Sequence, residues 1–209
     1  MKVLMISGSP HPSGVTHTAF MEMKKVFEAS GVETEIVQVG HLAVNACKAC
    51  KWCRKKENAR CIQDDIVNEL AIKFAECDAL VVGTPVHHGS ASGPLITVMD
   101  RLFYSTKFID RRMKVGASIT TARRSGCTST FDELNKYFLV SGMTVAGGQY
   151  WNNLFGDNYD EAIQDKEGMQ TMRTLANNII FLMKAIKDAK EKYGLPELED
   201  RIVTNFIRN

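Results

Sequence analysis

No apolar run in these 209 residues approaches the roughly 18 or more that a membrane-spanning helix needs, so no membrane partner is expected. The apolar stretch Met1 to Ile6 is short. It meets Ser-Gly-Ser-Pro where an export signal would need a longer run and a cleavage site. The expected setting is therefore cytoplasmic and reducing, which disfavours paired structural disulfides. Charge bias is missing as well: the net charge is +2, and no stripe interleaves aromatic with basic residues, so nucleic acid is not an expected partner. No glycine loop continues into Lys-Ser/Thr, and no G-x-G-x-x-G occurs, which disfavours a nucleoside triphosphate or a Rossmann dinucleotide as resident ligand. Neither a second domain, an internal repeat nor a low-complexity tract is evident.

Cysteine is what the chain has in quantity. Four of its six cysteines form Cys47-x2-Cys50-x2-Cys53-x7-Cys61. Spacings of three let successive side chains converge on one centre, which marks a metal-site pattern. Zinc sites usually carry two separated C-x2-C knuckles, whereas C-x2-C-x2-C with a detached fourth cysteine is the habit of iron–sulfur ligation. A [4Fe–4S] cluster is the favoured reading; zinc and free or redox-active thiols are the alternatives. Lys48, Lys51, Arg54, Lys55, Lys56 and Arg60 surround the cysteines with only Glu57 opposing them. That positive field favours thiolates and offsets the charge of a cluster, although a solvated basic loop accounts for it equally well.

At 44% hydrophobic the chain can bury a substantial core. Strand-like runs at Lys2–Ile6, Glu33–Val39, Asp78–Thr84, Met113–Thr120 and Met143–Gly148 alternate with helix-like segments. The helices are expected over Thr16–Ala29, after a cap at Asp64 or Asp65, over Pro94–Tyr104, Thr130–Leu139 and about Gly168–Lys190. Cys77 shares an apolar helical face with Ile66, Leu70 and Phe74, so it is read as a core thiol. Met172 and Met183 in the last helix are read as core packing. Strict alternation implies an α/β fold with a doubly wound, five-stranded parallel sheet over residues 1–193 and a cysteine-rich loop at 45–63 after strand two. A charged tail, 194–209, remains, with dimer contact as one use for it.

Such sheets bind ligands beyond the carboxyl ends of their strands. After strand one comes Ser7-Gly-Ser-Pro-His-Pro-Ser-Gly-Val-Thr16, where helix amides and the hydroxyls of Ser9, Ser13 and Thr16 could hold a phosphate. After strand three comes Gly83-Thr-Pro-Val-His-His-Gly-Ser-Ala-Ser-Gly-Pro94, whose small residues let backbone approach a flat ring closely.

With Gly8-Ser-Pro and Val15-Thr16, Thr84-Pro-Val with Ser92-Gly-Pro and Asp100-Arg101, the cysteine loop running into Asp64-Asp65, and Ala122-Arg-Arg124 followed by Gly126, the chain resembles the flavodoxin-like NADPH-dependent FMN reductases, specifically their iron–sulfur flavoprotein branch. That resemblance implies strand order 2-1-3-4-5, FMN as cofactor, and a homodimer or homotetramer with flavins near subunit boundaries. It also implies that Ser9, His11, Val15 and Thr16 lie in the phosphate loop and that Thr84, Pro85, Val86, His87, His88 and Gly89 line the flavin ring. Arg123 and Arg124 could meet the phosphates of NAD(P)H or stay solvated. Cys47, Cys50, Cys53 and Cys61 would ligate a [4Fe–4S] cluster exchanging electrons with FMN. The donor would be NAD(P)H or ferredoxin, and the acceptor a quinone-like, aromatic or other small molecule. A non-catalytic redox sensor or a zinc-stabilised binding module is the alternative. Two positions depart from the family habit. His11 replaces a common arginine, which implies weaker neutralisation of the phosphate at high pH, and His87-His88 replaces a common Tyr or Phe. Trp151 after the last strand is expected to be buried.

Overall fold

The computed structural model describes residues 1–55, 57–200, 202 and 204. Lys56, one of the basic residues near the cysteines, and most of the far tail lie outside the described residues. The chain runs β1 (Lys2–Ser7), α1 (Val15–Ala29), β2 (Glu33–Gln38), a 3₁₀ turn (Trp52–Arg54), α2 (Ile66–Glu76), β3 (Ala79–Pro85) and α3 (Gly93–Ser105). It continues through β4 (Val115–Ala122), α4 (Cys127–Leu139), β5 (Thr144–Val145), β6 (Asn153–Phe155), α5 (Tyr159–Ala162) and α6 (Lys166–Tyr193).

All strand pairs are parallel, in the order β2-β1-β3-β4-β5, with β6 also pairing with β4. This is the expected flavodoxin-like order, with the cysteine loop between β2 and α2. The central strands are apolar throughout because helices cover both faces and alternate side chains enter two different cores. Val3, Met5, Val81 and Ala117 pack under α1 and α6, against Phe20, Met23, Leu175 and Ile179. Leu4, Ile6, Leu80 and Val82 pack under α2, α3 and α4, against Phe74, Leu95, Leu102 and Phe138. Cys77, Met172 and Met183 are buried in these cores, as their helical spacing implied.

The fifth strand departs from the expectation of one run over Met143–Gly148. It is two short pieces on β4: Thr144–Val145 opposite Val115–Gly116, and Asn153–Phe155 opposite Thr120–Ala122. Asn152 bridges the gap between them. Its side chain donates to the Ser118 carbonyl at 3.1 Å and accepts from Gly148 N–H at 3.1 Å, while its own carbonyl takes the Thr120 N–H at 3.0 Å. Side-chain amide bonding thus replaces the ladder where the backbone bows out. At the far end α6 stops at Tyr193, before Gly194 at φ +73°. Among the described residues no helix is long and apolar enough to cross a membrane.

Candidate functional site

The loop after β1 folds tightly back on itself at the carboxyl edge of the sheet. Gly8 N–H donates to the Gly83 carbonyl at 2.7 Å, and the buried Ser9 hydroxyl accepts from His11 N–H at 3.2 Å. Gln38 at the end of β2 holds the Ser9 carbonyl at 2.9 Å. The next turn passes so close that a Cβ on Gly40 would sit 2.3 Å from the Ser9 carbonyl oxygen, so only glycine fits there. The loop opens α1, whose N-cap Gly14 offers no side-chain cap and whose first turn carries no acidic residue. Its free N–H groups and positive dipole end are therefore left for an anion. Thr16, buried in that first turn, shares a hydrogen bond of 2.8 Å with Thr121 at the end of β4.

A second wall comes from the loop after β3. Val86 N–H donates to the Thr121 carbonyl at 2.8 Å, and His87 and Ser90 exchange two backbone bonds of 2.8 and 3.1 Å. The two residues between them, His88 at φ +54° and Gly89 at φ +79°, are both left-handed, as a type I′ turn requires. This tip is pinned to α4: Ser129 donates to the Gly89 carbonyl at 2.7 Å, and Glu133 accepts from Ser90 Oγ at 2.8 Å and Ala91 N–H at 2.9 Å.

Between these walls lies a cleft of about 320 Å³, at the lower end of the range for small-molecule sites. Of the residues singled out from sequence, Ser9, His11, Val15, Thr16, Pro85, Val86, His87 and Arg123 line it. Ser13, His88, Gly89 and Thr84 do not. Ser13 is exposed, His88 and Gly89 form the turn tip, and Thr84 is fully buried with its hydroxyl accepting Ser92 N–H at 3.0 Å. Pro10, Gly14, Thr121, Ala122, Gly156 and Asp157 complete the lining, and of these Thr121, Gly156 and Asp157 lie outside the motifs read from sequence. Thr121 was legible only through the β3–β4 register that sets it beside Pro85. The cleft has the features FMN needs: an uncapped helix end with buried hydroxyls for one phosphate, and a rigid, largely backbone wall for a flat ring. A larger cavity of about 530 Å³, between Lys114, Val115 and Lys187, sits at the opposite end of the strands and contains no redox-capable group other than Met113 and Met183 thioethers.

Trp151 corrects an expectation. It is 46% exposed and packs edge-on against Phe131, ring centroids 5.8 Å apart, because the bowed segment between β5 and β6 carries it away from the core.

The cysteine loop is built differently. Beyond the 3₁₀ turn its described residues form no regular element, and Ala49, Lys51 and Ala59 adopt left-handed backbone at φ +50°, +59° and +45°. Cys47 and Cys50 are exposed, Cys53 is buried and Cys61 half-buried. Burial pushes the Cys53 thiol above its ordinary pKa. All four nevertheless line one small cavity of about 20 Å³, with Lys48, Lys51, Arg101 and Tyr104. Among the described residues, no three or more His, Cys, Asp or Glu side chains are grouped so as to hold a metal ion as they stand.

What fixes this loop is Arg101 on α3, only 1% exposed. Its guanidinium binds Asp65 in a fork, Nη1 to Oδ2 at 2.6 Å and Nη2 to Oδ1 at 2.9 Å. It also donates to the carbonyls of Asn45 at 3.1 Å and Gln63 at 3.2 Å, and to Cys61 Sγ at 3.2 Å. One buried side chain therefore ties the start and the end of the loop to the helix. Burial opposes its charge, but the bonds to Asp65 and Cys61 more than offset this and hold it protonated. Asp65 also caps α2 through Val67 N–H at 3.1 Å, and Asn68 closes the loop end on Cys61 N–H at 3.0 Å. The Asp64-Asp65 and Asp100-Arg101 signatures thus meet in one ion pair, which neither motif announced by itself. Two of the basic neighbours are engaged: Arg54 lies over the Tyr104 ring at 3.6 Å and Arg60 pairs with Asp64 at 2.6 Å.

Residues 1–156 match the model of the NADPH-dependent FMN reductase family. The chain is 31% identical over 194 residues to an iron–sulfur flavoprotein of Methanocaldococcus jannaschii, covering 90% of this chain and 100% of the relative. It is 34% identical over 210 residues to an iron–sulfur flavoprotein of Archaeoglobus fulgidus, covering 91% and 100%. Among solved structures it is similar to RosB, determined with a bound flavin intermediate, at TM-score 0.70 and 16% identity over 100% of this chain and 94% of that one. It is also similar to the NAD(P)H:acceptor oxidoreductase FerB of Paracoccus denitrificans, at TM-score 0.66 and 16% identity over 88% and 97%. These likenesses, with the sheet order and the cleft at its carboxyl edge, show that the chain belongs to the NADPH-dependent FMN reductase family, in its iron–sulfur flavoprotein branch.

Proposed function

We propose that this protein is an FMN oxidoreductase that carries a [4Fe–4S] cluster on Cys47, Cys50, Cys53 and Cys61. It takes electrons from NAD(P)H or a ferredoxin and passes them to a quinone-like, aromatic or other small acceptor. The observation that carries this reading is the presence in one chain of two separate sites: a cleft with an uncapped helix end at Gly14, and four cysteines around one cavity. FMN, when bound, supplies the exchange between two-electron and one-electron chemistry. The protein supplies the rest. The α1 amides with Ser9 and Thr16 hold the phosphate, and the Pro85–His87 backbone sets the ring plane. Arg123 on the cleft rim offers the positive charge that a phosphate-bearing donor needs. The cysteines supply four thiolates, helped by Lys48 and Lys51 on the same cavity.

Assembly into a homodimer or homotetramer is part of the proposal. Tyr150, Trp151 and Phe155 are exposed on the segment leading into the cleft residues Gly156 and Asp157, the kind of aromatic surface a second subunit covers. Sedimentation at micromolar protein is expected to give a dimer or tetramer, and a fully active flavin-loaded monomer would remove that part.

The test of function is anaerobic. Adding NADPH, NADH or reduced ferredoxin to the purified protein is expected to bleach the flavin band, and adding a quinone to restore it. Colourless protein that leaves all three donors unoxidised would favour a redox-sensing or zinc-stabilised module instead.

A further inference from the structure

One donor of the Arg101 guanidinium has no partner. Nε is buried and makes no hydrogen bond, although both Nη atoms are fully engaged. An unmet charged donor in the interior is among the costliest features a fold retains, so such an orphan signals a group that the protein atoms do not include. Arg101 lines the cavity shared by the four cysteines, and its Nη2 already lies 3.2 Å from Cys61 Sγ. Resting on the reading that those cysteines hold a [4Fe–4S] cluster, we propose that Arg101 is a positioning residue for that cluster, fixing Cys61 for ligation and raising the cluster's reduction potential, with Asp65 acting in the opposite sense.

Reduction brings one electron from an external donor, and thus one negative charge, to the cluster, with no bond to the protein broken. A buried positive charge beside it stabilises the reduced form and is little screened by solvent. Hydrogen bonds and charges around the ligating sulfurs are the protein's means of setting such potentials. Asp65, paired with the Arg101 guanidinium, carries the opposite charge, and at 28% side-chain exposure it is partly screened, so its effect is the smaller. A lysine at position 101 would keep the charge. It would not keep the fork that reaches Asp65, Asn45, Gln63 and Cys61 together. Asn at position 65 would remove the charge yet keep the helix cap.

Wild type, R101K, R101Q and D65N are prepared anaerobically as full-length protein. Iron, sulfide and FMN are assayed, and the cluster midpoint is followed by EPR-monitored redox titration. R101Q is expected to move the midpoint to more negative potential and D65N to more positive potential. R101K is expected to keep a midpoint near wild type with less iron incorporated, and FMN content is expected to be unchanged throughout. A clamp with a purely structural role would not separate the two signs: both midpoints unmoved, or both moved the same way, overturns the inference. Should R101Q fail to retain iron, D65N and R101K decide, since a D65N midpoint that is unchanged or more negative overturns it equally. Zinc, or no metal, in wild type overturns the underlying reading and the inference with it, a result visible before any variant is titrated.

Discussion

The fold prepares the cleft proposed for flavin and the cysteine loop to different degrees. The cleft is assembled from strand ends and a helix start, and its shape is set by backbone bonds such as Gly8 N–H to Gly83 and Val86 N–H to Thr121. Among its described residues the loop has one 3₁₀ turn, three left-handed non-glycine residues, and a buried arginine as its main tie to the sheet-bearing body. A region specified by the sheet exists before its ligand arrives. One specified mainly by its ligand is finished only when the ligand binds. The cleft measures about 320 Å³, near small-molecule size, whereas the cavity among the cysteines measures about 20 Å³, room for little more than one water.

Chemical labelling should break the comparison most visibly. In metal-free protein the exposed Cys47 and Cys50 are expected to be alkylated within the shortest labelling times, while buried Cys77 and Cys127 react only on unfolding. Peptide mapping after iodoacetamide checks this, and equal labelling of all six cysteines would mean that the body is no more ordered than the loop. Thr16→Val removes a hydroxyl from the phosphate seat and is expected to weaken FMN binding by about 1–3 kcal/mol, leaving iron content unchanged. Flavin titration by fluorescence quenching reads it, and an unchanged dissociation constant would put the phosphate elsewhere.

Gly83→Ala tests the rigidity of the body, since its Cβ would lie 2.6 Å from the Phe20 ring under the cleft. Overpacking of that kind costs about 1–3 kcal/mol, and a chain of this size loses roughly 2–4 °C of Tm per kcal/mol. Thermal unfolding of the apo-protein measures it, and no change in Tm would show that this wall yields. The smallest effect concerns pH. Burial pushes the Cys77 thiol from 9.0 up to about 11, so the folded state keeps a proton that the unfolded state releases. This contribution is fully present below pH 9 and is lost as pH rises through 11. Cys77→Ala is therefore expected to flatten the decline in stability between those pH values in urea titrations. A parallel decline in both proteins would contradict it.

The same contrast governs what could be read from the sequence. Five alternating apolar runs marked the sheet, and Asp65, Cys77, Met172 and Met183 took the places their spacing implied, because periodicity reports burial directly. The broken fifth strand was not legible, since the side-chain bonds of Asn152 that bridge it depend on where Ser118 and Gly148 come to lie. The loops flanking the cleft were recognisable from their small and hydroxyl residues. Thr121 was not, because its role depends on strand register, and Thr84 proved to be a buried support behind the wall. Cysteine spacing marked the loop, whereas the Arg101 clamp joins residues 36 to 56 positions apart and leaves no local pattern.

The central claim is that one chain holds two cofactors in independent sites, and it is tested most directly by assaying iron, sulfide and flavin in anaerobically purified wild type and Cys50→Ser. The account predicts about four iron, about four sulfide and about one FMN per wild-type chain, and a variant that loses or converts its cluster while retaining FMN in full. Stoichiometric zinc in the wild type, or loss of FMN together with iron in the variant, would contradict it.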